Sequence, residues 1–412
     1  RTHYAAQTGT GSVCSFGTPC LIMTFLNDLT LTTTPGNVLC LNDGVYTGPD
    51  SRITVQTTFA GANGNPIWIR AINEGQVIID GQGARPVQLR GSWGVLWGIN
   101  IRNGDNHNIS FAGSHWVAQR IVAWNSVGSG GNIALGGTDN LAEDVAAFGR
   151  AEKQIIATTN NQAITNNVVR RGFGIFQDTG PFDDPTNAGE TGYGQDNVTF
   201  ENMIFTWDRT GTDGDPEGLF QTFRCDDCKV LGTIIYVKAG AVFDSTSLFF
   251  ALTDAGSQEA AGNYDPSSNN VITHILSYID PAYVNFNTKR ALRFEYNSPG
   301  PPGSNNIVSN LVGVSGLTYT CTAPHWTCSD IQQGTSLADA IGAGNSVWTQ
   351  SNAAPGICKR YINGVLTSEP LWPWPMNQRI IDAMTTAGVT PINVTDTLET
   401  LLGTIPSECL SG

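Results

Sequence analysis

Val95-Leu-Trp-Gly-Ile99, Val117-Ala-Gln-Arg-Ile121, Leu141-Ala-Glu-Asp-Val145 and Ile164-Thr-Asn-Asn-Val168 share one pattern, and they begin 22, 24 and 23 residues apart. Each opens on an apolar residue, passes through three mixed residues and closes on another apolar one. Val198-Thr-Phe-Glu-Asn-Met203, one residue longer, Val230-Leu-Gly-Thr-Ile234, Val271-Ile-Thr-His-Ile275 and Ile307-Val-Ser-Asn-Leu311 continue the series at intervals of 34, 32, 41 and 36. A unit this short cannot bury its own apolar face, so it must stack on its neighbours. Short β-branched runs between Gly and Asn turns favour strands over helices. Strands that recur once per coil pair in parallel with those above and below. Their inward Val, Ile and Leu side chains then stack, each worth about 1.5–3 kcal/mol when fully buried. Asn140, Asn197, Asn270 and Asn306 precede the repeat strand and are expected to form a turn ladder, because Asn tolerates left-handed backbone.

Length and charge agree with an elongated fold. A chain of 412 residues exceeds what one compact core holds. Five Lys and sixteen Arg against thirty-five acids give a net charge of −14, which argues against nucleic acid and anionic membranes as partners. No apolar run is long enough to span a bilayer. The chain begins at Arg1 without Met or an apolar leader, as after signal-peptide removal. Nine Cys at short spacings suggest an oxidising compartment. The pairs expected from proximity are Cys14 with Cys20, Cys225 with Cys228, Cys321 with Cys328, and Cys358 with Cys409. Cys40, in the strand-like Val38-Leu-Cys-Leu41, is left over. Sequons stand at Asn108, Asn197 and Asn393.

Three regions follow: residues 1–52 as an N-terminal cap and first strand, 53–320 as the coil stack, and 321–412 as a disulfide-containing extension. Open stacks expose sheet edges, which natural proteins cap. Cys20-Leu-Ile-Met-Thr-Phe-Leu-Asn-Asp-Leu29 supplies a short amphipathic helix for the N-terminal end. The tail shows helical spacing over Met376–Met384. Trp372 and Trp374, set among prolines, either pack on the stack's flank or serve as carbohydrate- or partner-docking aromatics. The later coils swell after the repeat strand, at about residues 172–195, 208–224, 239–266 and 280–303, and these insertions are expected to wall one flank.

The repeat resembles right-handed parallel β-helix proteins of the pectate-lyase-like superfamily. Pro35-Gly-Asn-Val38, Asp43-Gly-Val-Tyr46, Gly64-Asn-Pro-Ile-Trp-Ile-Arg-Ala71 and Val77-Ile-Ile-Asp-Gly81 are similar to the opening of chondroitinase-like and alginate-lyase-like members. The resemblance spans about residues 35–320. It implies an all-β solenoid with a short N-terminal helical cap and an irregular or helical C-terminal extension. The activity stays open, because this fold hosts lyases, hydrolases, adhesins and phage spikes.

Asp208, Asp213, Asp215 and Glu217 form a candidate calcium site, with Asp178, Asp183, Asp184 and Glu190 nearby; the alternative is a solvated acidic loop. A uronate lyase needs a base for the proton alpha to the carboxyl and a cation for the resulting enolate. Lys289 and Arg290 with Arg293, backed by Lys238 and His274, are the candidates; the alternative is that they neutralise surrounding acids. Arg170-Arg171 loosely resembles the basic position after a lyase repeat strand, without the residues that flank it in known motifs. A glycoside hydrolase would need two carboxylates across one bond, for which Asp226-Asp227 with Asp208 or Asp244 are candidates. His107 and His115 fall in different parts of one coil and make no metal pair. Without a recognisable catalytic motif, the sequence leans to a secreted or cell-surface β-helix with a structural role. Such a protein would be a filament, sheath or adhesin-like component whose partner is itself. The alternative is a polysaccharide-active enzyme, a calcium-assisted uronate lyase or a glycoside hydrolase, or else a glycan-binding module.

Overall fold

The structure is a computed structural model. It describes residues 1–128, 130–158, 165–177, 186–192, 195–208, 218–223, 225–238, 240–241, 247–252, 268–280, 290–295, 303–314, 320–321 and 325–410. The chain winds into a right-handed parallel β-helix with three faces. The first face is a parallel ladder in which Val95, Val117, Leu141, Val168, Thr199, Lys229, Val271 and Ile307 stand in register. These residues point outward. The next in each strand, Leu96, Ala118, Ala142, Val169, Phe200, Val230, Ile272 and Val308, are buried and form the inner stack. The repeat frame therefore holds for the first three units and for those from Val271 and Ile307, whereas the fourth begins at Val168. The units read from Val198 and Val230 are one residue out of register.

A single residue turns the chain from the first face to the second. Arg120, Asp144, Arg171, Asn202, His274, Asn310 and Asp330 occupy this corner with φ between 50° and 59°, and Gly98 and Gly232 share the position. Left-handed backbone disfavours most side chains, so seven non-glycine residues here mean that packing at the corner overrides the local preference. The third face runs from Ile53–Thr54 through Val87–Leu89, Ile109–Phe111, Gly131–Leu135 and Lys153–Thr158 to Thr320–Cys321.

The turn into the first face carries the expected Asn ladder, shifted at one rung. Trp116 N donates to Asn140 Oδ1 (2.9 Å), Asn140 N to Asn167 Oδ1 (3.0 Å) and Asn270 N to Asn306 Oδ1 (3.1 Å). Asn197 belongs instead to an outer, exposed row, where it bonds Asn166; the inner position there is Val198. Asn108 is 0% exposed and joins a second interior ladder with Asn132 and Gln154, so its sequon is closed to a glycan. Asn393 caps the helix Val394–Leu402.

The stack is longer than residues 53–320. Thr2–Ala5 already pairs in parallel with Val38–Leu41, and Trp326–Gly334 pairs with Asn306–Val314. The helix Ile22–Leu26 buries Ile22, Phe25 and Leu26 near the N-terminal end. All four expected disulfides are present, and Cys40 is free and half-buried on the first face. Among the described residues, no helix is long and apolar enough to cross a membrane.

The second face is apolar on both sides. Its outward Trp124, Phe148, Phe173, Ile204, Ile234 and Leu276 pack against Ile341, Trp348, Ile357, Trp372, Ile380 and Leu398 of the C-terminal extension. A sheet covered on both faces reads as near-continuous apolar strands. That explains Ile121-Val-Ala-Trp124 and Val145-Ala-Ala-Phe148. Trp372 and Trp374, each 2% exposed, are therefore the chain's own packing residues and are not available to a sugar or a partner.

Burial and the neighbouring Arg85 push His107 down to about 4. The unfolded chain, with His near 6.5, takes up that proton first. His107 thus contributes its full stability above pH 6.5 and loses about 3 kcal/mol as the pH falls to 4. Chemical denaturation at pH 7 and pH 4.5 should show this loss, and His107→Gln should flatten it. An unchanged pH slope in the variant would refute the assignment.

Candidate active site

The third face carries the charged centre on its outer surface. Ile133, Ile155, Gly189, Phe220, Phe249 and Leu292 point inward in register. The adjacent outward row reads Gln88, Ser110, Ala134, Ile156, Glu190, Gln221 and, two rungs on, Arg293. Two positions earlier than the inward row in the register, Lys153 stands beside Asn187 and the backbone of Ser247 beside that of Arg290. Strand alternation thus puts neutral residues outside in the early coils and Glu190 in the later ones.

Lys153 Nζ lies 3.2 Å from Glu190 Oε2 and 3.4 Å from Glu152 Oε1. Asn187 Nδ2 donates to Glu190 Oε2 and to Gln221 Oε1, both at 3.1 Å. Glu190 is 1% exposed. A carboxylate that buried requires a cation and hydrogen bonds, and Lys153 and Asn187 supply both. Asn187 Oδ1 is buried and has no hydrogen-bond partner among the described residues. With strands about 4.8 Å apart, Arg293 lies about 14 Å along the axis from Glu190, and Arg290 about 19 Å from Lys153. The face thus offers an extended track of cationic and amide groups. Its edges also lengthen: the segment into it grows from 103–108 to 209–219 and 280–289, and the segment out of it from 90–93 to 253–270. The insertions read from sequence therefore divide between two edges of this face instead of swelling at one turn.

The other expected residues scatter. Lys238 forms an ion pair with Asp208 at 2.6 Å, in a crevice with Ile175, Thr206, Tyr236, Ile392 and Thr397. That crevice lies under the C-terminal extension, away from Arg290. Lys289, Asp213, Asp215, Glu217, Asp178, Asp183, Asp184 and Asp244 lie outside the described residues. Among the described residues, no three His, Cys, Asp or Glu side chains gather to hold a metal ion. Asp208 is at the edge leading into the third face and Asp226-Asp227 at the edge leading out of it, so they do not face one glycosidic bond.

Arg170 and Arg171 are buried at the corner of the first two faces. Arg170 Nε lies 2.6 Å from Glu201 Oε2, and Arg171 Nε 2.7 Å from Asp144 Oδ1, with Glu143 bridging both arginines. The hairpin Lys359–Ile362 and Val365–Pro370 closes over them. Asn363 Oδ1 accepts from Arg170 Nη2 at 2.7 Å, and Gly364 N donates to Glu201. His274 Nδ1 meets Tyr361 Oη at 2.6 Å under the same hairpin, and burial lowers its pKa. These groups build the wall and do not face a substrate. Lys153 and Glu190 escaped the sequence reading as a pair. The signal was available in part: Lys153 is one of only five lysines and directly precedes a strand-like run. Its partner could not be found without the strand register.

The Chondroitinase B family model matches residues 24–127, the early coils. No curated protein matches the chain. Among solved structures, the chain is similar to the pectate lyase Pel9A, with 14% identity, 84% of this chain and 82% of that one covered, and a TM-score of 0.49. It is also similar to an alginate lyase from Paenibacillus sp. str. FPU-7, with 13% identity, 81% and 98% covered, and a TM-score of 0.49. A rhamnogalacturonan lyase gives 14% identity, 80% and 87% covered, and a TM-score of 0.43. The resemblance to the pectate-lyase-like superfamily holds at the level of the fold. The structural-assembly reading does not stand. The Chondroitinase B match favours the polysaccharide-active alternative, and the aromatic tail taken for a docking surface is buried on the chain's own second face.

Proposed function

We propose that this chain is a secreted polysaccharide lyase that acts on an acidic glycan lying along the outer surface of the third face. The observation that carries the reading is the buried Lys153–Glu190 pair, with Asn187 and Gln221 beside it and Arg293 farther along the same face. An extended polymer lying along these strands would meet basic and amide groups in turn. Four disulfides suit an oxidising exterior.

β-Elimination removes the proton alpha to the uronate carboxyl, stabilises the resulting enolate, and expels the glycosidic oxygen across the new double bond. Lys153, which lies between Glu190 and Glu152, is assigned to position the substrate. Lys289 and Arg290 are assigned to the proton transfer and the charge developing at the carboxyl. Calcium is proposed for the 208–217 segment, where Asp208 is already engaged by Lys238.

Incubation with pectin, alginate and chondroitin, each with and without calcium, should release unsaturated uronate with ultraviolet absorbance on at least one of them. Lys289→Ala and Arg290→Ala should each lower turnover by about 10²-fold, the scale of losing one charge-stabilising group. Full activity in both variants would reassign the chemistry. Absence of unsaturated product on every acidic glycan would end the lyase reading.

A further inference from the structure

Three sequons stand in the sequence, at Asn108, Asn197 and Asn393, and the fold treats them differently. A carboxamide Nδ2 carries two hydrogens. N-glycosylation replaces one of them with a bulky, solvated group, so it needs a spare hydrogen and open space. Asn108 has neither. Its side chain is 0% exposed, and Nδ2 gives both hydrogens to the interior, to Trp124 O and Asn132 Oδ1, while Oδ1 accepts from Gly104 N at 2.8 Å. Asn393 is half-buried at the start of the helix Val394–Leu402. Its Oδ1 accepts from Asn377 Nδ2 at 2.7 Å and from Asp396 N at 3.1 Å, and its Nδ2 donates to Asp396 Oδ2 at 2.7 Å. A sugar on that nitrogen would crowd the carboxylate it serves and loosen the cap.

Asn197 differs on each count. It stands on the turn from the third face to the first, in an outer row of Asp139, Asn166, Asn197, Asp227, Asn269 and Asn305, all in left-handed backbone with φ between 51° and 63°. Asn197 is exposed, and its backbone is pinned by the bond from its N to Asp226 O at 2.8 Å. Among the described residues its Nδ2 donates one bond, to Asn166 Oδ1, which leaves the second hydrogen spare. The row also exposes Asn166, Asn269 and Asn305, but two positions on from these stand Val168, Val271 and Ile307. Thr199 follows Asn197 alone.

We infer that Asn197 is the N-glycosylation site of this chain, and that Asn108 and Asn393 carry no sugar in the folded protein. The donor class is a lipid-linked oligosaccharide pyrophosphate. The bond from its anomeric carbon to the pyrophosphate oxygen breaks, Nδ2 bonds that carbon and loses a proton, and the lipid pyrophosphate leaves. Four disulfides suit folding in the oxidising compartment where such transfer takes place. Transfer precedes folding, so Thr199, 7% exposed in the folded chain, is still open to the transferase. A chain glycosylated at Asn108 cannot close its interior ladder. The inference goes beyond the lyase reading and does not depend on it.

Secretion of the full chain from a eukaryotic host, with peptide mapping before and after peptide-N-glycosidase treatment, tests it. One glycan is expected, and its removal should convert Asn197 to Asp. Thr199→Val keeps a β-branched strand residue and removes the hydroxyl that the transferase reads, so it should abolish the glycan; Thr199→Ser should retain it. The wild-type map decides the site even where Thr199→Val folds poorly. A secreted, folded wild type without sugar on Asn197 overturns the inference, and so does a glycan on Asn108 or Asn393 of the folded chain.

Discussion

Arg170→Met is expected to destabilise the fold by about 3–5 kcal/mol, because it leaves a buried charge without its partner. Glu201 is 0% exposed and receives Arg170 Nε at 2.6 Å on one oxygen and Gly364 N on the other. Removing the guanidinium also frees Asn363 of the hairpin and one contact of Glu143. Arg170→Met/Glu201→Gln should recover much of the loss, because the neutral amide still accepts from Gly364 N while the stranded charge is gone. Denaturant titration of wild type, single and double variants measures this. A single-variant cost below about 1 kcal/mol, the range of exposed pairs, would show that water reaches the corner.

Trp372→Ala should cost a similar 3–5 kcal/mol, as large buried aromatics do on truncation. Its ring packs edge-on to Trp348, at 5.4 Å between centroids, and 5.8 Å from Trp374, and Nε1 donates to Ile357 O at 2.8 Å. All of this lies in the seam between the second face and the extension, beside the Cys358–Cys409 disulfide that links two parts of the extension. Trp372→Phe keeps most of the apolar contact and loses the hydrogen bond, so its cost should be about 1–2 kcal/mol. Loss of glycan binding by Trp372→Ala at unchanged stability would restore the sugar-docking role that burial argues against.

Both variants touch residues whose surroundings the sequence presented ambiguously. Arg170-Arg171 follows a repeat strand and looked like chemistry, yet the two arginines meet Glu143, Asp144 and Glu201 only through register between coils. The assembly reading failed for a related reason. Apolar aromatic ends imply that something covers them, but composition does not say whether the cover is another molecule or the chain's own tail. Asn197 falls one position off in the ladder because polar pairs such as Asp196-Asn197 and Asn166-Asn167 look alike until hydrogen bonds distinguish inner from outer rows.

The sequence alone determined that the chain is a parallel β-helix, with the frame of most of its repeat strands, its helical N-terminal cap and its four disulfides. Each of these follows from short-range spacing: period-two burial, turn residues at fixed offsets and cysteines close along the chain. Tertiary structure alone decided which outward side chains are exposed. In a three-faced coil every strand shows half its residues to the outside, and the second face lies beneath the extension while the third carries Lys153 and Glu190. Whether an outward residue meets solvent depends on contacts hundreds of positions apart, which no local pattern encodes.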